Sequence, residues 1–206
     1  MTIRLFFSPA SPYVRKVMVA AHERGLADRI EKLPAAASPV KRDAAILRHN
    51  ATGKVPCLLL ADDTPLFDSR VISAWIDAQG VSGVALYPEG DRRFAVLTLE
   101  ALGDAMLDAA LLHRYENALR PEAKRWDAWA RGQMEKIDSG LDDLEGRWFD
   151  LLAEGFHAGA IAVACTLGYL DFRFAAKDWR SGHPRLADWF AKVSDRPSML
   201  ATVPVG

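Results

Sequence analysis

A proline stands at the threshold of an apolar strand in Gly53-Lys54-Val55-Pro56-Cys57-Leu58-Leu59-Leu60, and a second strand follows before Asp68-Ser69. Proline cannot donate to a strand ladder, so it belongs at a strand's first residue or at a bulge. The run therefore enters a strand at Pro56 and turns back through a tight hairpin. If the Val55–Pro56 bond is cis, as X-Pro bonds in tight turns sometimes are, the N–H and C=O of Val55 face outward. They then pair with an extended peptide as another strand would. Asp68 and Ser69 fall where a helix begins. Free N–H groups and the dipole at a helix N-terminus attract carboxylates, but both residue types also serve as plain helix caps. Either a site for a small anionic peptide or a capped helix after a hairpin accounts for these residues.

The 206 residues are half hydrophobic and carry a formal net charge of -1. Such a length builds one or two domains with a full core. The charge balance offers no footprint for nucleic acid or an anionic membrane. No N-terminal apolar stretch has a basic flank and no run is long enough to cross a bilayer, so a cytoplasmic location is expected. Cys57 and Cys165 each lie in an apolar run without a C-x-x-C partner, which reads as two small buried hydrophobes. The five histidines are scattered, so no metal site is expected. There is no Gly-rich phosphate loop and no Gly-x-Ser-x-Gly turn.

Residues 1–80 alternate strand and helix signals, as an α/β unit with its own sheet does. Strands are expected at Ile3 to Phe7, Arg29 to Leu33, Val55 to Leu60 and Leu66-Phe67, with helices from Pro12 to Gly25, from Pro39 to Arg48 (a short one), and from Ser69 to Gly80. Val81 to Asp91, with Gly83, Pro88 and Gly90, resembles a linker. Residues 92–206 then read as helical throughout: Arg92 to Leu119, Glu122 to Phe149, Ile161 to Ala176 and Pro184 to Val193.

Between the first strand and first helix lies Ser8-Pro9-Ala10-Ser11-Pro12-Tyr13-Val14-Arg15-Lys16-Val17. Ser11 at the N-cap and Pro12 at the first helical position form a favoured helix start. The same hydroxyl, beside free N–H groups, is able to donate to an anionic sulfur. Helix N-termini lower cysteine thiol pKa values from about 8.5 to roughly 3.5–7.5.

With Gly-Lys-Val-Pro and Phe-Asp-Ser-x-x-Ile following in that order before a helical half, the chain resembles a cytosolic glutathione S-transferase along essentially its whole length. The resemblance extends to the Arg120-Pro121 break and to Ala164-Cys165-x-x-Gly168-Tyr169-Leu170. It implies an α/β thioredoxin-like domain (residues 1–80), an all-α helical bundle (92–206) lining the electrophile site, and a homodimer. It also implies glutathione as co-substrate, with Ser11 matching the catalytic Ser or Cys of tau- and omega-like branches. Val55 matches the residue whose backbone pairs with the cysteinyl unit, Pro56 the cis-proline, and Asp68 and Ser69 the pair that holds the γ-glutamyl end.

Several positions depart from the family pattern. Cys at the place of Ser11 reacts through a mixed disulfide, which Ser cannot form; thiolate activation is favoured over thiol exchange. Ser8 is a rival hydroxyl, Ala10 stands where some branches place the catalytic Ser, and Tyr13 is expected to pack. Asn50-Ala51 replaces the usual Asn-Pro. His157-Ala158-Gly159-Ala160 replaces the usual Ser/Thr-x-x-Asp capping box, and loss of a cap costs about 0.5–2 kcal/mol. Met106, Ala110, Arg114 and Tyr115 are the candidate electrophile walls, with bundle packing or solvation as their alternatives. Trp126 and Trp129 are expected to pack. Lys41 is a candidate to reach the glycyl carboxylate of glutathione, with a solvated lysine in a loop as the expected alternative.

The reading is a glutathione transferase that activates the glutathione thiolate for conjugation to a small hydrophobic electrophile. A glutathione-dependent reductase or peroxidase on the same scaffold is the alternative, and a non-enzymatic interaction or stress-response protein is the third.

Overall fold

A computed structural model of the chain describes residues 3–206. These form two compact units: residues up to Pro88 together with Arg196–Gly206, and Glu89–Asp195.

The first unit opens with β1 (Ile3–Phe7) and α1 (Pro12–Glu23), whose buried stripe includes Val14, Val17, Met18 and Ala21. After a single turn come β2 (Ile30–Pro34), α2 (Ala44–Leu47), β3 (Cys57–Leu59), β4 (Pro65–Leu66) and α3 (Ser69–Gln79). The four strands form one sheet in the order β2-β1-β3-β4. β1 and β2 run parallel, which requires the crossover that α1 supplies, while β1–β3 and β3–β4 are antiparallel. Side chains alternate across the sheet. Phe6, Cys57 and Leu59 pack with Ile46 of α2 on one face, and Leu5 and Leu58, paired across β1–β3, point to the other. α2 is shorter than expected because it starts only at Asp43, whose carboxylate accepts from Ala45 N–H at 2.8 Å and Ala36 N–H at 3.2 Å.

The first unit extends past residue 80, so the expected linker is mostly bound structure. Arg24 pairs with Asp77 at 2.9 Å and donates to the carbonyls of Ser82 and Gly83 at 2.7 and 2.8 Å. Asp77 also accepts from the N–H groups of Leu86 and Tyr87, both buried. Gly83 turns at φ 74°, and a Cβ there would lie 2.0 Å from the carbonyl oxygen of Glu23. The chain end differs from expectation in the same way. Arg196–Gly206 groups with the first unit because Arg196 forks onto the Glu23 carboxylate at 3.0 and 2.7 Å, while Ser198 donates to Glu23 and Arg15 to Met199 O.

The second unit holds α4 (Arg92–Ala118), α5 (Asp127–Glu145), α6 (Phe149–Ala153), α7 (Ala158–Arg173) and α8 (Pro184–Ser194); α9 (Pro197–Leu200) belongs to the first. α4 packs on both α5 and α7. Thr166 Oγ1 of α7 donates to Gly103 O of α4 at 3.0 Å. The second helical stretch begins later than expected because buried Glu116 holds the preceding turn, accepting from Trp126 N–H at 2.8 Å and Arg120 Nε at 2.7 Å.

α7 corrects the expectation of a missing cap. His157 is itself the N-cap: Nδ1 accepts from Ala160 N–H at 3.2 Å, so Nε2 carries the proton and donates to Leu151 O at 3.0 Å. Burial holds the imidazole pKa below its ordinary value, against the raising effect of the Leu151 contact. The unfolded chain thus binds the proton more readily, and this cap's contribution is full above pH 6.5 and fades as pH falls below it. His157→Ser keeps a cap without a titration. Its urea midpoint should fall less between pH 7.5 and 5.5 than the wild type's, while His157→Ala should lose about 0.5–2 kcal/mol at neutral pH.

Candidate active site

The strand register gathers three separated motifs at one end of one sheet. Phe6 pairs with Cys57 in the antiparallel β1–β3 ladder, and one residue further Phe7 stands opposite Pro56. β3 pairs with β4 through Leu58 and Leu66, so the chain leaves β4 toward Asp68 at the end where Pro56 leads into β3. The loop to Ser11, the Val55–Pro56 peptide and the start of α3 therefore share a sheet end.

Ser11 caps α1. Its backbone N–H donates to Ser8 O at 3.1 Å, and its Oγ accepts from Val14 N–H at 3.3 Å. No acceptor among the described residues takes its hydroxyl proton. The capping bond uses a lone pair and leaves the proton available, so the cap and donor roles are compatible. Ser8, Ala10 and Tyr13 lie in the same loop and first turn, and only Ser11 occupies the cap.

The Val55–Pro56 peptide is cis, and the strand ladder starts at Cys57, so the N–H and C=O of Val55 stand outside it. Asn50 holds this turn and was not singled out as a working residue from the sequence. It is buried, its amide donates to Lys54 O at 3.0 Å, and its Oδ1 accepts from the N–H and hydroxyl of Thr52 at 3.0 and 2.7 Å. Arg42 donates to Ala51 O in the same turn.

Asp68 rather than Ser69 is the N-cap of α3, accepting from Arg70 N–H at 3.0 Å and pairing with the Arg70 guanidinium at 2.8 Å. Burial acts to raise its pKa, but the Arg70 bonds and the charge of Lys16 outweigh it and hold the carboxyl below its ordinary value. Lys16 is 1% exposed. A lysine amid the apolar stripe of α1 was its only sequence signal. Ser69 is buried in the first turn of α3, where its hydroxyl has no hydrogen-bond partner among the described residues. Lys41 is exposed in the loop before α2.

In the helical unit, Met106 is buried against Gly140 of α5, where a Cβ would approach its Sδ to 2.6 Å, and Ala110 is fully buried. Both fill the bundle core. Arg114 and Tyr115 are half-buried on α4. They act electrostatically on Tyr169 of α7, with Arg173 alongside. Burial first, then Tyr115, raises the Tyr169 phenol, against the two arginines. Phe174 rings lie 5.6 Å from His113 and 6.4 Å from Tyr169, adding an aromatic wall that helical spacing alone did not reveal. Trp126 and Trp129 are exposed instead of packed. Among the described residues no group of three or more His, Cys, Asp and Glu could hold a metal ion, and no helix is long and apolar enough to cross a membrane.

Residues 10–79 match the model of the glutathione S-transferase N-terminal domain and residues 127–192 that of the C-terminal domain. The GST-like protein YibF of Escherichia coli K12 is 33% identical over 205 residues, 98% of each chain. A glutathione transferase family member from Pseudomonas fluorescens Pf-5, solved with bound glutathione, is 48% identical with a TM-score of 0.97 over 100% of both chains. The structure of that organism's family member with bound S-(propanoic acid)-glutathione superposes at a TM-score of 0.92, with 46% identity over 99% of this chain and all of the other. A glutathione S-transferase from Methylobacillus flagellatus KT with glutathione bound is 33% identical, with a TM-score of 0.90 over 99% of this chain and 100% of that one. The chain belongs to the glutathione S-transferase family.

Cys57 and Cys165 are both buried, and burial pushes the Cys57 thiol up to about 11. A buried thiol with a raised pKa is a poor nucleophile. An aromatic disulfide reagent at pH 8 should find no reactive thiol in the native protein and two in denaturant.

Proposed function

We propose that the protein is a glutathione transferase in which Ser11 stabilises the thiolate of bound glutathione for attack on a small hydrophobic electrophile. The observation that carries this reading is the Ser11 hydroxyl, whose oxygen is held by Val14 N–H while its proton has no acceptor among the described residues. Glutathione lies extended, its cysteinyl amide groups pairing with Val55. Its γ-glutamyl carboxylate meets the Ser69 hydroxyl and the free N–H groups of α3, and its ammonium meets Asp68. The thiol proton leaves to solvent. Ser11 donates to the sulfur anion, which forms a C–S bond to the electrophile; in an addition, the displaced π pair is then protonated at the adjacent carbon.

Tyr115 stands next to Arg114 on α4, and we keep both as wall positions in place of Met106. Glutathione and the reduced, buried cysteines fit a cytoplasmic setting. Phe67 and Val71, 40% and 48% exposed beside Asp68, offer apolar surface to a second copy. The expected sedimenting species is a homodimer, and Val71→Lys should shift it toward monomer.

The test combines calorimetry with the ultraviolet absorbance of bound thiolate. Ser11→Ala should retain glutathione binding, raise the bound thiol's pKa and lower turnover about 10²–10³-fold, the loss associated with one preorganised donor. Ser69→Ala should instead weaken binding about tenfold or more, since it removes a hydrogen bond to a charged group. An unchanged thiolate signal in Ser11→Ala removes Ser11 from catalysis. No binding at millimolar glutathione leaves the interaction-protein reading.

A further inference from the structure

Arg15 is 8% exposed, yet it has no carboxylate partner among the described residues. Its Nη2 donates to Met199 O at 3.2 Å, and its buried Nε has no hydrogen-bond partner among the described residues. The other arginines that tie this unit's segments are compensated: Arg24 by Asp77 and Arg196 by Glu23. An arginine taken out of water without an anion is among the costlier arrangements a core can hold. Its removal from water makes sense when an anion joins it.

Arg15 lines a cavity of about 210 Å³ bounded by the end of β1, α1 and the chain's last residues. Lys32 also lines it, its ammonium 4.8 Å from the Phe7 ring centre, and so does Ser8, whose hydroxyl has no partner among the described residues. No Asp or Glu is among the lining residues. The remaining wall is mainly apolar, including Val14, Met18 and Val203. Two cations and a hydroxyl on an apolar wall suit a carboxylate carrying a hydrocarbon chain better than a bare, fully hydrated anion. The volume lies below the roughly 300–1,000 Å³ of drug-sized sites, so the chain must be short. Ser11, Val55, Asp68 and Ser69 are absent from the lining, which sets this cavity apart from the glutathione-binding residues.

We propose that this cavity is a second binding site, taking a small monocarboxylate with a short apolar chain on Arg15, Lys32 and Ser8. Ser8 and Pro9 belong to the loop that carries Ser11, and Ser8 O accepts from Ser11 N–H. An acid bound here therefore touches the catalytic loop from its own pocket.

The probe is hexanoate, titrated into ¹⁵N-labelled full-length protein saturated with S-methylglutathione. The readout is the Arg15 Nε–H resonance, assigned by its disappearance in Arg15→Lys. A saturable shift of that resonance is expected with hexanoate, with none for hexan-1-ol and a much weaker one for inorganic phosphate. Lys32→Gln, at an exposed position, should weaken hexanoate about tenfold, the effect of one lost charged hydrogen bond. The proposal is overturned if the Arg15 resonance stays fixed at tens of millimolar hexanoate, which leaves Arg15 as a latch for the C-terminal tail only. Equal response to phosphate, or loss of the shift once S-methylglutathione is bound, overturns it as well.

Discussion

The antiparallel pairing of β1 with β3 is the constraint on which the site depends. A ladder that pairs Phe6 with Cys57 brings the exit of one strand to the entrance of the other. Whatever follows Phe7 and whatever precedes Cys57 must then be neighbours. The hairpin to β4 brings Asp68 to the same end. A one-residue slip would exchange the buried set, Phe6, Cys57 and Leu59, with the opposite face, so the core and the site are held by the same register. The chemistry rests on backbone geometry that apolar packing enforces.

Around that sheet end, polar groups do two jobs with the same atoms. Ser11 and Asp68 cap helices through their oxygens, and capping leaves a hydroxyl proton in one case and a carboxylate anion in the other for a ligand. Asn50 shows the same economy, since its buried amide fixes the turn that exposes Val55. His157 does for α7 what a hydroxyl or carboxylate does elsewhere, using a ring nitrogen whose neutral state burial secures. Arg15 stands apart from these satisfied groups, for its Nε has no hydrogen-bond partner among the described residues.

Much of this was legible in the residues. The Val55-Pro56 signal placed a strand entrance, Ser11-Pro12 placed a helix start, and the change of character near residue 90 separated a mixed unit from a helical one. Local rules did not reach the segments whose anchors are distant in sequence. Val81 to Asp91 reads as a linker because its glycines and proline carry no information about Arg24 and Asp77, which hold its first part. Arg196–Gly206 reads as the last part of the helical half until Glu23, 173 residues away, claims Arg196. Met106 has the composition of a pocket wall, and only the glycine opposite it on α5 marks it as core.

Helix starts, strand alternation, the turn chemistry of proline and glycine and the family resemblance act over a few residues or through motif order, so the chain itself specified the elements, the two halves and the candidate ligands of glutathione. Which side chains are buried, which charges find partners and which stay alone depend on pairings across long stretches of chain. Those pairings are set by packing, where each buried ion must be matched by whatever the fold brings within reach. Lys16 acting on Asp68, Tyr169 beside Arg114 and Arg15 beside an acid-free cavity are consequences of that kind.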